Sequence, residues 1–345
     1  MKIELFDYQL PDELIAQFPN RNRDESRLMV VDRKLNAKKI VPFKTILDYF
    51  CQGDALVVNN TKVFKARLLG HRISGAKVEI FLVRNLSRKS EEVWLALARP
   101  SKKLRELEKI TFGKFTVQLM KYLKQGRWEV KFSSSKSKQK IIEQYGHIPL
   151  PQYIKTDDEA VDIERYQTIF AKDKNDAAVA APTAGFHFTH KLIDSLKEKG
   201  VKIVELTLNV GPGTFKPVEV DNISDHIVDP EFAELSEKAA ETINAVKKNG
   251  NKIFAVGTTT CRTLESAAMK SGNLLPFSGE CSLYIKPGYK FNVVDHLITN
   301  FHLPKSSLLI LVSAFHDRKH ILDSYKLAIE NRMMFYSYGD AMLLL

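Results

Sequence analysis

Between residues 61 and 140 apolar side chains recur at every second position. In the remainder of the chain they come in short unbroken runs or at helical spacing. This change of period constrains the fold most, because a period of two lays one face of a strand on a core and a period of 3.6 lays one face of a helix on it. The runs "VFKARLLG", "KVEIFLVRNL", "EVWLALARP", "KITF", "FTVQLMKYL" and "RWEVKFS" are separated by turn-rich stretches such as "RISGAK" and "KQG". Short strands at that spacing predict a small antiparallel barrel. "SSSKSKQK" (Ser133–Lys140) reads as an exposed linker leading out of it, and "GHIPLP" (Gly146–Pro151) as a rigid one.

Outside this segment strands alternate with helices. "DALVVNN", "VKIVELTLNV" and "KIFAVG" read as strands, and "THKLIDSLKEKG", "SEKAAETINAVKKNG", "TCRTLESAAMKSG" and "HILDSYKLAIENRM" as helices. Ser236 is a predicted N-cap, with Gly200 and Gly250 as helix stops. Such alternation predicts an α/β core with parallel pairing. The expected organisation is a Rossmann-like α/β core formed by residues 1–60 and 150–345, with a small antiparallel β-barrel inserted at 61–149.

Charge follows the same division. Residues 61–140 hold 21 Lys+Arg against 6 Glu, a balance of +15, while the rest of the chain holds 31 basic and 35 acidic residues, a balance of −4. A basic segment on a nearly neutral body is an electrostatic footprint for a polyanion such as nucleic acid. The longest apolar run, "SSLLILVSAF", falls well short of a membrane span, and the acidic "MKIELFDYQLPDEL" does not read as a signal peptide. The widely spaced Cys51, Cys261 and Cys281 suggest no disulfide framework and fit a reducing cytosol.

Four motifs fall where a strand is expected to end, the position at which open α/β sheets bind ligands. "AAPTAGFHFT" carries Thr183, Gly185 and His187, and "NVGPGTF" carries Gly211, Gly213 and Thr214. "VGTTTCRTLES" carries Thr258, Thr259, Thr260, Arg262 and Glu265, and "HLITNFHLPKSS" carries Asn300 and His302. Each has a plainer reading. Gly-Pro-Gly can be only a turn, one threonine suffices for an N-cap, Arg262 and Glu265 can pair on a helix surface, and a histidine beside phenylalanines can be a core residue. His316 and His320 stand four apart, as in zinc sites, but the run lacks the glutamate of that motif and shows no third ligand, so no metal is expected. Nucleotide fingerprints of the GxGxxG and GxxxxGK[ST] types are absent.

Taken together, these residues closely resemble the S-adenosylmethionine:tRNA ribosyltransferase-isomerase family of queuosine biosynthesis. The resemblance spans nearly the whole chain, from "FDYQLPDELIAQFP" through "GDALVVNNTKVFKARLLG", "GHIPLPQYI", "YQTIFA", the four motifs above and "VVDHLITNFHLPKSSLLILVSAF" to "FYSYGDAM". It implies transfer and isomerisation of the ribosyl part of S-adenosylmethionine onto 7-aminomethyl-7-deazaguanine at a tRNA wobble position. The products are epoxyqueuosine-tRNA, adenine and methionine. S-adenosylmethionine is then a consumed substrate, no cofactor or metal is needed, and a cytoplasmic monomer free of membranes is expected. One departure is Asp229, where the family often has a second histidine after His226.

That chemistry assigns expected roles. A sulfonium acidifies the neighbouring ribosyl 5′ carbon, so a base is required, and so is an acid for the leaving groups. His187 and His302 are the catalytic candidates. The carbanion is expected to attack the aminomethyl carbon with loss of ammonia. Phe186 and Phe188 could desolvate the imidazole, stack on adenine or belong to the core. Glu265 or Asp340 could balance the sulfonium. Thr258, Thr259, Thr260 and Arg262 could hold the methionine carboxylate. Asn59, Asn60 and Arg67, at the junction of core and barrel, could meet the tRNA backbone.

Overall fold

The structure, a computed structural model, describes residues 1–345 except 88–91, 152, 156–163, 173–177, 212, 214–216 and 269–271. Thr214 therefore lies outside the described residues.

Two sheets divide the chain. The larger is formed by β1 (Arg27–Asp32), β2 (Ala37–Pro42), β3 (Ala55–Asn59), β11 (Lys202–Leu208), β12 (Glu231–Leu235), β13 (Ile253–Val256), β14 (Phe277–Cys281), β15 (His296–Asn300) and β16 (Ala341–Leu344). The smaller comprises β4 (Arg67–His71), β5 (Lys77–Asn85), β6 (Glu92–Arg99), β7 (Lys109–Phe112), β8 (Phe115–Tyr122), β9 (Arg127–Phe132) and the two-residue β10 (Gly146–His147).

In the larger sheet the order is β14-β12-β11-β3-β13-β15-β16-β1-β2. The central β11, β3, β13 and β15 are mutually parallel, as the alternating pattern predicts. The flanking pairs are antiparallel except β16 with β1, which is parallel, so the sheet is mixed. The reason is visible between β15 and β16. Two helices, Ser307–Ala314 and Arg318–Glu330, intervene where a parallel crossover needs one, so the chain re-enters the sheet from the opposite end.

Successive residues of the central strands face opposite cores, as the pleat requires. Ala55, Val57, Ala255 and Leu297 join one buried cluster, and Leu56, Val58, Phe254 and Ile298 join the other. Both faces are covered, so these strands read as unbroken apolar runs. The helices His190–Glu198, Glu237–Lys248 and Thr258–Ala267 cover them, and Ser236 caps the second by accepting from the Ala239 N–H.

The six long strands of the smaller sheet match the six runs read from the sequence. The sheet closes through a pairing of His71 with Thr111 and encloses Ile80, Leu119, Trp128 and Val130. Register shifts at Leu82/Arg84 and Leu119/Lys121 supply curvature. Gly70 sits at the closure, where a Cβ would come within 2.7 Å of the Phe112 ring.

The expected linker at Ser133–Lys140 is instead the start of a helix, Ser135–Tyr145, whose N-cap Ser134 accepts from the Ser137 N–H. Ile141 enters the barrel core and Lys138 pairs with Glu92 at 3.0 Å. The serine run suggested a loop, but one buried face of the helix outweighs weak local propensity. Among the described residues two exposed ion pairs join barrel and core, Arg84–Glu280 and Arg127–Asp229, so the departure at Asp229 contacts the barrel.

Candidate active site

A cavity opens beyond the carboxyl ends of β11, β13 and β15, where open α/β sheets bind ligands. Val210, Gly257, Thr258, Thr259, Thr299, Asn300 and His302 line it from the strand ends, and Thr183 and Ala184 from the turn of "AAPTAGFHFT". That turn is a 3-10 segment, Thr183–His187, preceding the helix that Thr189 caps. It packs tightly, since a Cβ on Gly185 would meet Thr168 at 2.8 Å.

The helix Thr258–Ala267 points its N-terminus at the cavity. Its N-cap is Gly257, at φ 88°, and no side chain caps it. Thr260 binds back to the Val256 carbonyl at 2.7 Å, whereas the buried Thr259 hydroxyl has no partner among the described residues. An uncapped helix start with an unpartnered hydroxyl in a cavity wall is a receptor for an anionic or carboxylate group.

His302 forms another wall. One ring nitrogen, Nε2, lies 2.8 Å from the Thr299 hydroxyl. Its backbone is clamped by the Tyr325 hydroxyl, which the His302 N–H reaches at 3.0 Å, and by Tyr8, whose hydroxyl donates to the His302 carbonyl. Burial pushes the imidazole down to about 3, so it stands neutral, with Nδ1 carrying no protein hydrogen bond among the described residues.

His187 is differently placed. It is buried, and its Nδ1 lies 2.8 Å from the Ser26 hydroxyl and its Nε2 3.2 Å from the Asn300 amide nitrogen. The same amide donates to the Tyr336 carbonyl at 3.0 Å, which can only accept, so the amide orientation is determined. Nε2 therefore accepts, and Nδ1 carries the proton and donates to Ser26. Burial, and secondarily the Arg23 charge, push this imidazole down to about 3. Asn300 accepts from Thr183 at 3.1 Å through its other end, which links His187 to the cavity wall. The ring facing the imidazole is Phe43, at 5.0 Å. Phe188 lies in the core, and Phe186 stacks on Tyr338 at 5.9 Å.

Other expected residues stand apart from the cavity. Arg262 is buried in an ion pair with Glu231 at 2.7 Å and also donates to the carbonyls of Cys281 and Leu283, so it faces away from the helix start. Glu265 accepts from the backbone N–H groups of Asn292, Val293 and Val294 and from the Tyr289 hydroxyl. Arg262 and Glu265 thus neither pair on a surface nor line the cavity. Asp340 accepts from the Arg27 and Met334 N–H groups and pairs with the Arg27 guanidinium. No carboxylate lines the cavity among the described residues.

Asn59 bonds Leu208 and Thr61, and Asn60 bonds Glu205 and Thr207, so both join β3 to β11. Arg67 pairs with Glu79 on the barrel. The Gly211 N–H donates to Glu231 at 2.7 Å, a Cβ on Gly213 would strike Asp229, and His226 lies against Tyr284. Asp317 supplies a third group beside His316 and His320, whose rings stack at 4.4 Å, but none of the three lines the cavity.

Sequence reasoning passed over Ser26, Tyr153, Thr299, Tyr336 and Ser337. The last two lie in "FYSYGDAM", and Tyr336 holds φ 71°, an uncommon conformation for a non-glycine residue and a signal only the backbone reveals.

Comparison with known proteins decides which family builds such a site. A family model described as "Queuosine biosynthesis protein" matches residues 3–344. The chain belongs to the queuosine-biosynthesis family. It is 45% identical to the S-adenosylmethionine:tRNA ribosyltransferase-isomerase of Halothermothrix orenii and 46% identical to that of Aquifex aeolicus, each over the full length of both chains. The crystal structure of S-adenosylmethionine tRNA ribosyltransferase from Thermotoga maritima superposes with a TM-score of 0.57 at 34% identity, covering 99% of this chain and 100% of that one. Members of the family are transferases, and the α/β core with an inserted barrel is common to this chain and that structure.

Proposed function

We propose that the cavity binds S-adenosylmethionine and a 7-aminomethyl-7-deazaguanine presented by tRNA, and transfers the isomerised ribosyl group to the base. The methionine carboxylate lies at the N-terminus of helix Thr258–Ala267, near Thr259. His302, through Nδ1, removes the proton from the carbon beside the sulphur. A neutral imidazole with an open nitrogen can accept that proton. His187 works through Asn300, whose amide oxygen takes the Thr183 hydroxyl proton and so leaves that hydroxyl oxygen toward the cavity as an acceptor.

Atom balance revises the expectation that ammonia is lost. Adenine and methionine are the only leaving groups, so the aminomethyl nitrogen stays and forms the new C–N bond. The pair left by the removed proton closes the carbon ring as adenine leaves with the glycosidic pair, the nitrogen displaces the ring oxygen and gives up one proton, and that oxygen closes the epoxide as methionine leaves with the C–S pair on sulphur. S-adenosylmethionine is consumed, and no separate cofactor enters this reading. The basic barrel contacts the tRNA backbone, and the reacting base leaves its stack to enter the cavity.

The observation that carries the reading is the convergence of an uncapped helix N-terminus and the open nitrogen of a neutral His302 on one cavity. Incubation with S-adenosylmethionine and base-modified tRNA, followed by chromatography, should yield adenine and methionine in equal amounts. S-adenosylhomocysteine would point to a methyltransferase, and no donor consumption to an RNA-binding protein.

A further inference from the structure

A second cleft is lined by Pro19, Arg23, Arg165, Phe186, His187 and Ser337. Its chemistry is cationic. Each guanidinium has five N–H donors and needs acceptors for them when removed from water. Arg165 directs its terminal nitrogens to the carbonyls of Arg21 and Asn20, while its Nε is buried without a partner among the described residues. Arg23 makes one long bond, to the Glu164 carbonyl at 3.4 Å, and its guanidinium lies 5.8 Å from the centre of the Phe186 ring. Among the described residues no carboxylate forms an ion pair with either. Burial, and then the charge of Arg165, push the Arg23 pKa down, with Glu164 and Tyr338 opposing. Two partly desolvated like charges are thus held together with donors unused, an arrangement that an entering oxyanion stabilises.

The cleft adjoins the reaction cavity. Ser337 lines both, and His187 in the cleft is bonded to Asn300 in the cavity. A strand whose base is turned into the cavity has its next phosphate within a few ångströms of that base's sugar. The cavity already offers a helix N-terminus for the donor's carboxylate, which leaves the paired guanidinium groups for a different anion.

We infer that Arg23 and Arg165 form a phosphate subsite that grips the RNA backbone beside the reacting nucleotide. The inference rests on the reading of the cavity given under Proposed function and adds to it a substrate contact outside the basic barrel.

The test uses Arg23→Gln, Arg165→Gln, the double variant and the two Arg→Lys variants in the full chain. Affinity for the base-modified tRNA is measured across 50–200 mM salt, alongside calorimetric binding of S-adenosylmethionine and the melting temperature. Each Gln variant should weaken tRNA binding roughly 10-fold. The double variant should flatten the log–log salt slope by about 0.7, with donor affinity unchanged. The Lys variants should keep the slope and lose part of the affinity, because an ammonium keeps the charge without the fork, and they keep the test open if a Gln variant fails to fold. Unchanged tRNA affinity and slope in folded variants would overturn the inference. So would loss of S-adenosylmethionine affinity with tRNA binding intact, which would assign the pair to the donor's carboxylate. Failure of the functional reading is separate, because it appears as absence of adenine release by the unaltered protein.

Discussion

Replacing Glu265 separates its two possible roles. In the structure its Oε1 accepts from the Val293 and Val294 N–H groups at 3.0 and 2.9 Å, and its Oε2 from the Asn292 N–H at 2.9 Å and the Tyr289 hydroxyl at 3.1 Å. The side chain ties helix Thr258–Ala267 to the segment entering β15. In Glu265→Gln one oxygen becomes an N–H₂ facing the Asn292 N–H, leaving a buried donor unmet at a cost of about 1–3 kcal/mol. The remaining bonds also lose their charge assistance, bringing the total to about 3 kcal/mol. Glu265→Ala strands three backbone donors, costing about 5 kcal/mol. An unfolding entropy of about 2.1 cal/mol/K per residue gives about 0.7 kcal/mol/K for a chain of this length, so the melting temperature should fall by about 4 °C and 7 °C respectively. Differential scanning fluorimetry reads both shifts, and steady-state kinetics with saturating tRNA reads KM for S-adenosylmethionine. An unshifted melting temperature with KM raised tenfold or more would refute the structural role and place the carboxylate against the sulfonium.

Acid should destabilise the fold early. His187 and His302 are both pushed to about 3, against an unfolded value near 6.5, so the unfolded chain binds more protons between these limits and stability falls as pH drops through that window. From pH 7.5 to 5.5 the two together should cost about 3 kcal/mol in urea denaturation. Equal stability at both values would contradict their burial as neutral rings. His302→Gln should lower single-turnover adenine release by about 100-fold or more while tRNA affinity holds. His187→Ala should also abolish most turnover, through Asn300. Near-wild-type rates in either variant would remove that residue from the machinery. Neutralising the exposed Lys102, Lys103, Arg105, Lys136 and Lys140 should weaken tRNA binding and flatten its salt dependence. Lys138→Gln, which breaks a pair with Glu92, should act on stability instead. A salt slope unchanged by the five-fold variant would exclude the barrel as the tRNA arm.

The strands, most helices and the separate barrel were legible in the sequence because they depend on local period and on capping residues. Val204, Leu206 and Leu208 alternate in a strand that the structure confirms, and Ser236 caps the helix it was expected to cap. The helix at Ser135–Tyr145 was hidden by polar composition, because only packing against the barrel shows which of its faces is buried. The strand ends that build the cavity could also be read, since chain direction places them at one edge of a parallel sheet.

Which side chain does what could not be read. Arg262 and Glu265 are three apart on one helix, yet one meets Glu231, 31 residues back in the chain, and the other meets N–H groups 27 to 29 residues ahead. Ser26 and His187 stand 161 positions apart and touch. The sequence by itself determined the periods, the caps and the charge partition, because each is set by neighbours along the chain. Tertiary structure alone decided which polar groups are satisfied internally and which are left open to a ligand. That distinction depends on partners brought together only when the sheet is assembled, and it directs His302 rather than Glu265 or Arg262 toward the cavity.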